Sequence, residues 1–174
     1  MRLLIDGYNL MFESSSVERG LDGKHALRAA RGRLLHLLVD LIEESMRAHT
    51  LIVFDSKKAP PDLPDKYEYF GIKIVFARDW NSADELIQAE IRRHSAPKQL
   101  SVVTSDHAIQ RKARARGATV IDSDQWLDRQ IDERARRERE VTNAAEDKTV
   151  GDSVLKQKEL SEEERNKWLK EFGY

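Results

Sequence analysis

The acidic residues of this chain fall at telling places. Asp6 closes the apolar run from Arg2 to Ile5, and Asp55 closes the run from Thr50 to Phe54. Asp84 and Glu85 follow the run from Ile72 to Phe76 after a short loop, and Asp106 follows the run from Leu100 to Thr104. If those runs are parallel strands, their carboxyl ends share one edge of the sheet, where ligands gather in open α/β folds. Carboxylates held close repel one another at neutral pH unless a cation sits among them. Hard oxygen ligands with no His or Cys in the set select magnesium or manganese over zinc. Such a centre suits phosphodiester hydrolysis, with a metal-activated water and charge neutralised on the phosphate and leaving oxygen.

Each acid also has a plainer reading. Asp and Glu favour helix N-termini, so Asp84, Glu85 and Asp106 fit capping equally well taken singly. Asp6 and Asp55 are harder to explain that way. Each ends an apolar strand, where a lone charge is desolvated unless it is paired or metal-bound.

These acids need a scaffold, and the pattern of apolar residues supplies one. The four runs above and Thr119 to Ile121 read as short strands buried on both faces. A helix is expected from Lys24 to Met46, with Leu27, Ala30, Leu34, Leu37, Leu38, Leu41 and Ile42 facing the core. Ser82-Ala83-Asp84-Glu85 has capping-box spacing and opens a second helix, running to His94 before Pro97. A third starts near Ser105 and stops at Gly117. A fourth starts at Asp122 or Ser123 and turns Trp126, Leu127 and Ile131 inward. Strands alternating with helices predict a three-layer α/β/α domain with a parallel sheet. Ser56 to Gly71, with its Ala59-Pro60-Pro61-Asp62-Leu63-Pro64 core, reads as a loop. The expected organisation is a domain over 1–140, a polar linker over 141–160 and a short helix over 161–174 carrying Trp168, Leu169 and Phe172.

Ile5-Asp6-Gly7-Tyr8-Asn9, Val53-Phe54-Asp55, Ser82-Ala83-Asp84-Glu85 and Thr104-Ser105-Asp106 with Gln110 together resemble the NYN branch of the PIN-like ribonucleases, most of all its bacterial YacP-like members. All four blocks occur in that family's order, across about residues 2 to 125. The resemblance implies a PIN-like sheet of strand order 3-2-1-4-5, RNA as substrate and a divalent metal as cofactor. It makes Asp6, Asp84 and Asp106 metal ligands, with Asp55 and Glu85 as direct ligands or supports. It gives Asn9 the task of orienting a metal-bound water or the phosphate, and Ser105 a hydrogen bond to the scissile phosphate. Gly7 suits close backbone approach or positive φ beside such a centre, or an ordinary turn. Tyr8 could stack on a base, although packing is the commoner role of an aromatic there.

Lys57, Lys58 and Arg78 follow strand ends and are expected at the rim of the site, while Arg111 and Lys112 lie on the helix that begins at Asp106. They suit a phosphate backbone. A solvated helix face accounts equally well for each residue of the 111–116 run, and the Arg134 to Arg139 run reads as solvated. Of the five histidines only His107, beside Asp106, is placed to act as a proton donor. There is neither a P-loop nor a dinucleotide glycine fingerprint, and Tyr8 stands where a haloacid-dehalogenase-type phosphatase needs Asp.

The 174 residues suffice for one ordinary domain, and the absence of cysteine excludes disulfides and thiolate zinc sites. Charged residues are 35% of the chain, yet the net charge is -1, so overall charge argues neither for nor against nucleic acid. The apolar stretch after Arg2 is too short for a signal segment or a membrane span, so a cytoplasmic setting without membrane is expected. An endoribonuclease using Mg2+ or Mn2+ is the expected activity, with RNA as its partner. The C-terminal helix is expected either to dock on the domain, the commoner role of Trp168, Leu169 and Phe172 at helical spacing, or to serve the ribosome or an RNA-processing protein. The alternatives are a non-catalytic RNA- or ribosome-binding module of the same fold and a DNA-directed 5′-nuclease-like enzyme.

Overall fold

A computed structural model describes residues 1–13, 24–58, 63–140 and 142, with the side chains of Lys24, His25 and Lys58 excepted. Apart from residue 142, the expected linker and the C-terminal helix lie outside the described residues. In chain order the elements are β1 (Leu3–Asp6), α1 (Gly7–Glu13), α2 (Lys24–Leu41), α3 (Glu44–Arg47), β2 (Thr50–Phe54), β3 (Lys66–Tyr69), β4 (Ile72–Phe76), α4 (Ala83–Arg93), β5 (Ser101–Val103), α5 (His107–Ala115), β6 (Thr119–Ile121) and a helix over 123–140, α6. A compact unit covers Met1–Ile131, and a second unit starts at Asp132.

The sheet runs β3-β4-β2-β1-β5-β6. Leaving out β3, the other five strands are parallel neighbours in the order the resemblance implies. β1 is central, and all four of its residues are buried. Pleating sends Leu4 and Val53 to one face, with Leu86, Ile87 and Ile91 of α4 and Ile109 and Ala113 of α5. Leu3, Ile5, Ile52, Phe54, Ile74 and Phe76 point the other way, against α1, α2, Trp126 and Leu127. The result is three layers around two apolar interfaces.

The structure corrects the sequence reading in four places. Lys66–Tyr69, inside the expected loop, is a strand paired antiparallel with β4. The two-residue turn between them puts Phe70 and Gly71 at φ 48° and 85°, a turn that matches the twist of a hairpin. The segment after Asp6 enters α1 at once. The first long helix ends at Leu41 instead of Met46, and Arg47 donates to the carbonyls of Val39 and Ile42, satisfying helix-end acceptors that have no partner within α2. Ile131, expected inward, is 46% exposed.

Residues 132–140 form an exposed helical stretch, apart from the half-buried Ala135. Arg134–Glu138, Arg136–Glu140 and Glu133–Arg137 pairs run along it, as a solvated face requires. Among the described residues no helix is long and apolar enough to cross a membrane.

Candidate active site

Asp6 is the last residue of β1, in register with Val53 of β2. It is 8% exposed. Its Oδ1 accepts the backbone N–H of Asn9 (3.2 Å) and its Oδ2 the hydroxyl of Thr104 (3.3 Å). Burial pushes the Asp6 carboxyl up to about 6, the Asn9 N–H and Thr104 hydroxyl pull it back in part, and the charges of Asp84 and Asp106 raise it further. Three of the acids singled out from sequence therefore act on one another.

Thr104 connects two of them. Fully buried just past β5, it donates to Asp6 and accepts the N–H of Asp106 at 3.1 Å. Asp106 is the N-cap of α5, and its Oδ1 accepts the N–H groups of Ala108 (2.7 Å) and Ile109 (2.9 Å). The capping reading of Asp106 is thus realised together with its proximity to Asp6.

Asn9 ties this edge together. Its Oδ1 accepts the N–H of Ser105 at 2.7 Å and the hydroxyl of Ser123 at 2.6 Å, joining α1 to the start of α5 and of α6. Ser105 Oγ accepts the N–H of Ser123 (3.2 Å), and Gln110 donates from Nε2 to the Thr104 carbonyl and to Asp122 Oδ1. Ser123, fully buried, reads from sequence only as a possible cap, and Thr104 reads only as the end of a strand. A hydroxyl directly beside Ser105-Asp106 is the one signal for Thr104. For Ser123 nothing local points 114 residues back to Asn9.

The opposite wall comes from β2 and α4. Asp55 Oδ2 accepts the N–H of Ala83 (3.3 Å) and Oδ1 that of Lys57 (2.8 Å), so Asp55 anchors the start of α4. Ser82 is the N-cap there, accepting the Glu85 N–H at 3.2 Å. Asp84 stands in the first turn, its carboxyl raised by partial burial and then by Asp106 and Asp55. The Glu85 carboxylate instead accepts from the backbone and side-chain N–H groups of Asn81 (3.2 and 2.8 Å).

Gly7 is a point of close approach, but to protein. A Cβ there would lie 2.4 Å from the Phe54 ring, and its φ is not positive. Tyr8 is buried, edge-on to Phe54 at 5.0 Å, in keeping with the packing role.

The basic residues are less gathered. Arg78 pairs with Asp65 and lies over the Phe76 ring. Lys112 donates to Gln88, one turn along α4 from Asp84, while Lys57, Arg111 and His107 are exposed.

The donor set suits a hard divalent cation, being carboxylate oxygen throughout and mutually repulsive. Among the described residues no three such side chains enclose an ion as they stand. Magnesium keeps several of its waters, which can link an ion to carboxylates that do not all touch it directly.

A parallel sheet of this order, with acids at the carboxyl ends of its central strands, is the architecture of the PIN-like nuclease class. The family model of the YacP-like NYN domain matches residues 3–172, and the chain belongs to that family. Crystal structures of Rae1 (YacP) from Bacillus subtilis share the fold. One matches with a TM-score of 0.61 at 22% identity over 98% of this chain and 95% of that one. A second, of a tryptophan-to-leucine mutant of the same Bacillus protein, matches with a TM-score of 0.58 at 22% identity over 82% of each chain. No curated protein matches.

Proposed function

We propose that this chain is a divalent-metal-dependent endoribonuclease that hydrolyses phosphodiester bonds of RNA at the edge formed by Asp6, Asp84 and Asp106. The observation that carries the reading is the buried Asp6 carboxyl at the end of β1, tied through the Thr104 hydroxyl to Asp106 and lying in the field of Asp84 as well. A structural role rarely calls for such an arrangement, whereas a cation relieves it.

Asp6, Asp84 and Asp106 would hold Mg2+ or Mn2+, which when bound lowers the pKa of a water and neutralises charge on the phosphate. Thr104 keeps Asp6 and Asp106 side by side, and Asp55 fixes the helix start that carries Asp84. Asn9 and Ser105 keep the assignments the resemblance implies, within limits set by their bonds. Asn9 Oδ1 already serves two donors, so a water or phosphate oxygen would be met by its Nδ2. Ser105 Oγ accepts from Ser123, which leaves its O–H to donate toward a phosphate. Glu85 takes part by holding the Asn81 turn. Lys57, Arg111 and Lys112 contribute to backbone attraction, and an RNA substrate agrees with a cytoplasmic setting.

One observation favours a second reading, a non-catalytic RNA-binding module. Both oxygens of Asp55 and one of Asp106 are already engaged by backbone N–H groups. Incubating single-stranded RNA with the protein and Mg2+ or Mn2+ separates the two. Internal cleavage that stops in EDTA supports the nuclease, and RNA retention without cleavage in either metal supports the module.

A further inference from the structure

Beside the acid-bearing edge, under α2, lies a cation that the chemistry above does not use. Arg31 falls on the core face of α2 and is 2% exposed. Its Nη1 donates to the Tyr8 hydroxyl at 3.2 Å, and its guanidinium lies 5.3 Å from the Phe76 ring centre and 5.9 Å from that of Phe54. Among the described residues it has no ion pair and no second hydrogen bond. No fully buried side-chain nitrogen lacks a partner among them either. The remaining guanidinium nitrogens therefore meet the last sliver of surface that the residue keeps.

Its neighbours place the guanidinium itself, and the Tyr67 phenol on β3 lies in its field as well. Phe54 and Phe76 end β2 and β4, and Tyr8 comes two residues after Asp6, so all three contacts stand at the carboxyl end of the parallel strands. The Tyr8 phenol lies in the field of both Arg31 and Asp55. The guanidinium therefore lies at the same end of the sheet as the acids.

A buried cation calls for a counter-charge or a full set of acceptors. Two rings and one phenol hold this one in place and leave N–H donors over. A planar fork of donors matches two oxygens of a phosphate. Four acids at the edge repel an approaching RNA strand, and a fixed cation beside them offsets that repulsion.

We propose that Arg31 is a phosphate site, taking one backbone phosphate of a single-stranded RNA beside the acids. The proposal rests on the RNA-cleaving reading for its substrate and concerns binding alone.

The test uses the full chain in EDTA, where no metal-dependent cleavage occurs, with a short fluorescein-labelled oligouridylate followed by anisotropy over a range of salt. Arg31→Met should weaken binding roughly tenfold and make the dependence of log K on log salt shallower by about 0.7, the contribution of one phosphate on a single strand. Arg31→Lys, which keeps the charge, should restore the slope. Equal slopes for the wild type and Arg31→Met overturn the proposal, as does an RNA that fails to bind the wild type.

Should Arg31→Met not fold, the wild type still decides. The 15N resonance of Arg31 Nε shifts on adding the same RNA if the site is real, and stays in place if it is not. Cleavage by the wild type in Mn2+ is scored separately. A changed slope without cleavage keeps the phosphate site and removes the nuclease, whereas cleavage with unchanged slopes removes the site alone.

Discussion

The buried Asp6 carboxyl carries a cost to folding, and the cost has a sign. Its carboxyl titrates near 6 in the folded chain against 3.8 for an unperturbed aspartate, so between those values the folded protein holds a proton that the unfolded chain has released. Stability therefore falls as pH rises from about 4 to about 6 and levels off above, by about 3 kcal/mol for a shift of this size. In EDTA, Asp6→Asn should be more stable than the wild type at neutral pH, with the difference closing as pH falls toward 4. Urea melts across that range check it, and a gap that does not change with pH would count against the buried charge. Asn9 is the opposite case, a residue whose loss should hurt the fold. Asn9→Ala strips the acceptor from the Ser105 N–H and the buried Ser123 hydroxyl and should cost about 2–3 kcal/mol in the same melts. Unchanged stability would mean that Asn9 does not hold α1 to α6. The acids were legible from residue type and place, because few other side chains end an apolar strand with a charge. Their supports were not, because a Thr or Ser hydroxyl looks alike at every position until a distant partner is known.

At the scale of elements, β1 crosses into α1 over Phe54 with no room for a side chain at residue 7. A methyl at residue 7 would press on a ring already bounded by Tyr8, Phe76 and Arg31. Gly7→Ala should therefore destabilise by about 1–3 kcal/mol in spite of alanine's better helix propensity. Combining it with Phe54→Leu should recover part of the loss, and additive effects in urea melts would rule the clash out. The helix from Ser82 could be read in advance because its N-cap serine and first-turn acids are local signals. α1 could not, being seven residues long and carrying no such signal beyond a glycine that also suits a turn. β3 was hidden for another reason. Its Lys66-Tyr67-Glu68-Tyr69 alternation is only four residues long, and its turn places a phenylalanine at positive φ, where Asn or Gly is the usual residue. Arg31 lay in plain view on the Leu27, Leu34, Leu38 stripe. A charge on an apolar stripe is usually taken for a boundary residue that reaches solvent.

For the molecule as a whole, five parallel strands and the family were legible because buried strands and their terminal acids repeat the same pattern around one sheet. The second unit is described only for 132–140 and 142, and there the solvated charge run fits expectation. A net charge of -1 leaves RNA attraction to local groups, so binding should weaken steeply with salt only to the extent that a few cations meet the strand. What the acid edge does is tested most directly by single-stranded RNA incubated with the wild type, Asp6→Asn and Asp106→Asn, each in Mn2+ and in EDTA. A metal site built on these acids predicts internal cleavage by the wild type in Mn2+, none in EDTA, and a loss of at least about a hundredfold in either variant. Cleavage that persists in both variants at the wild-type rate, or that proceeds in EDTA, would contradict it.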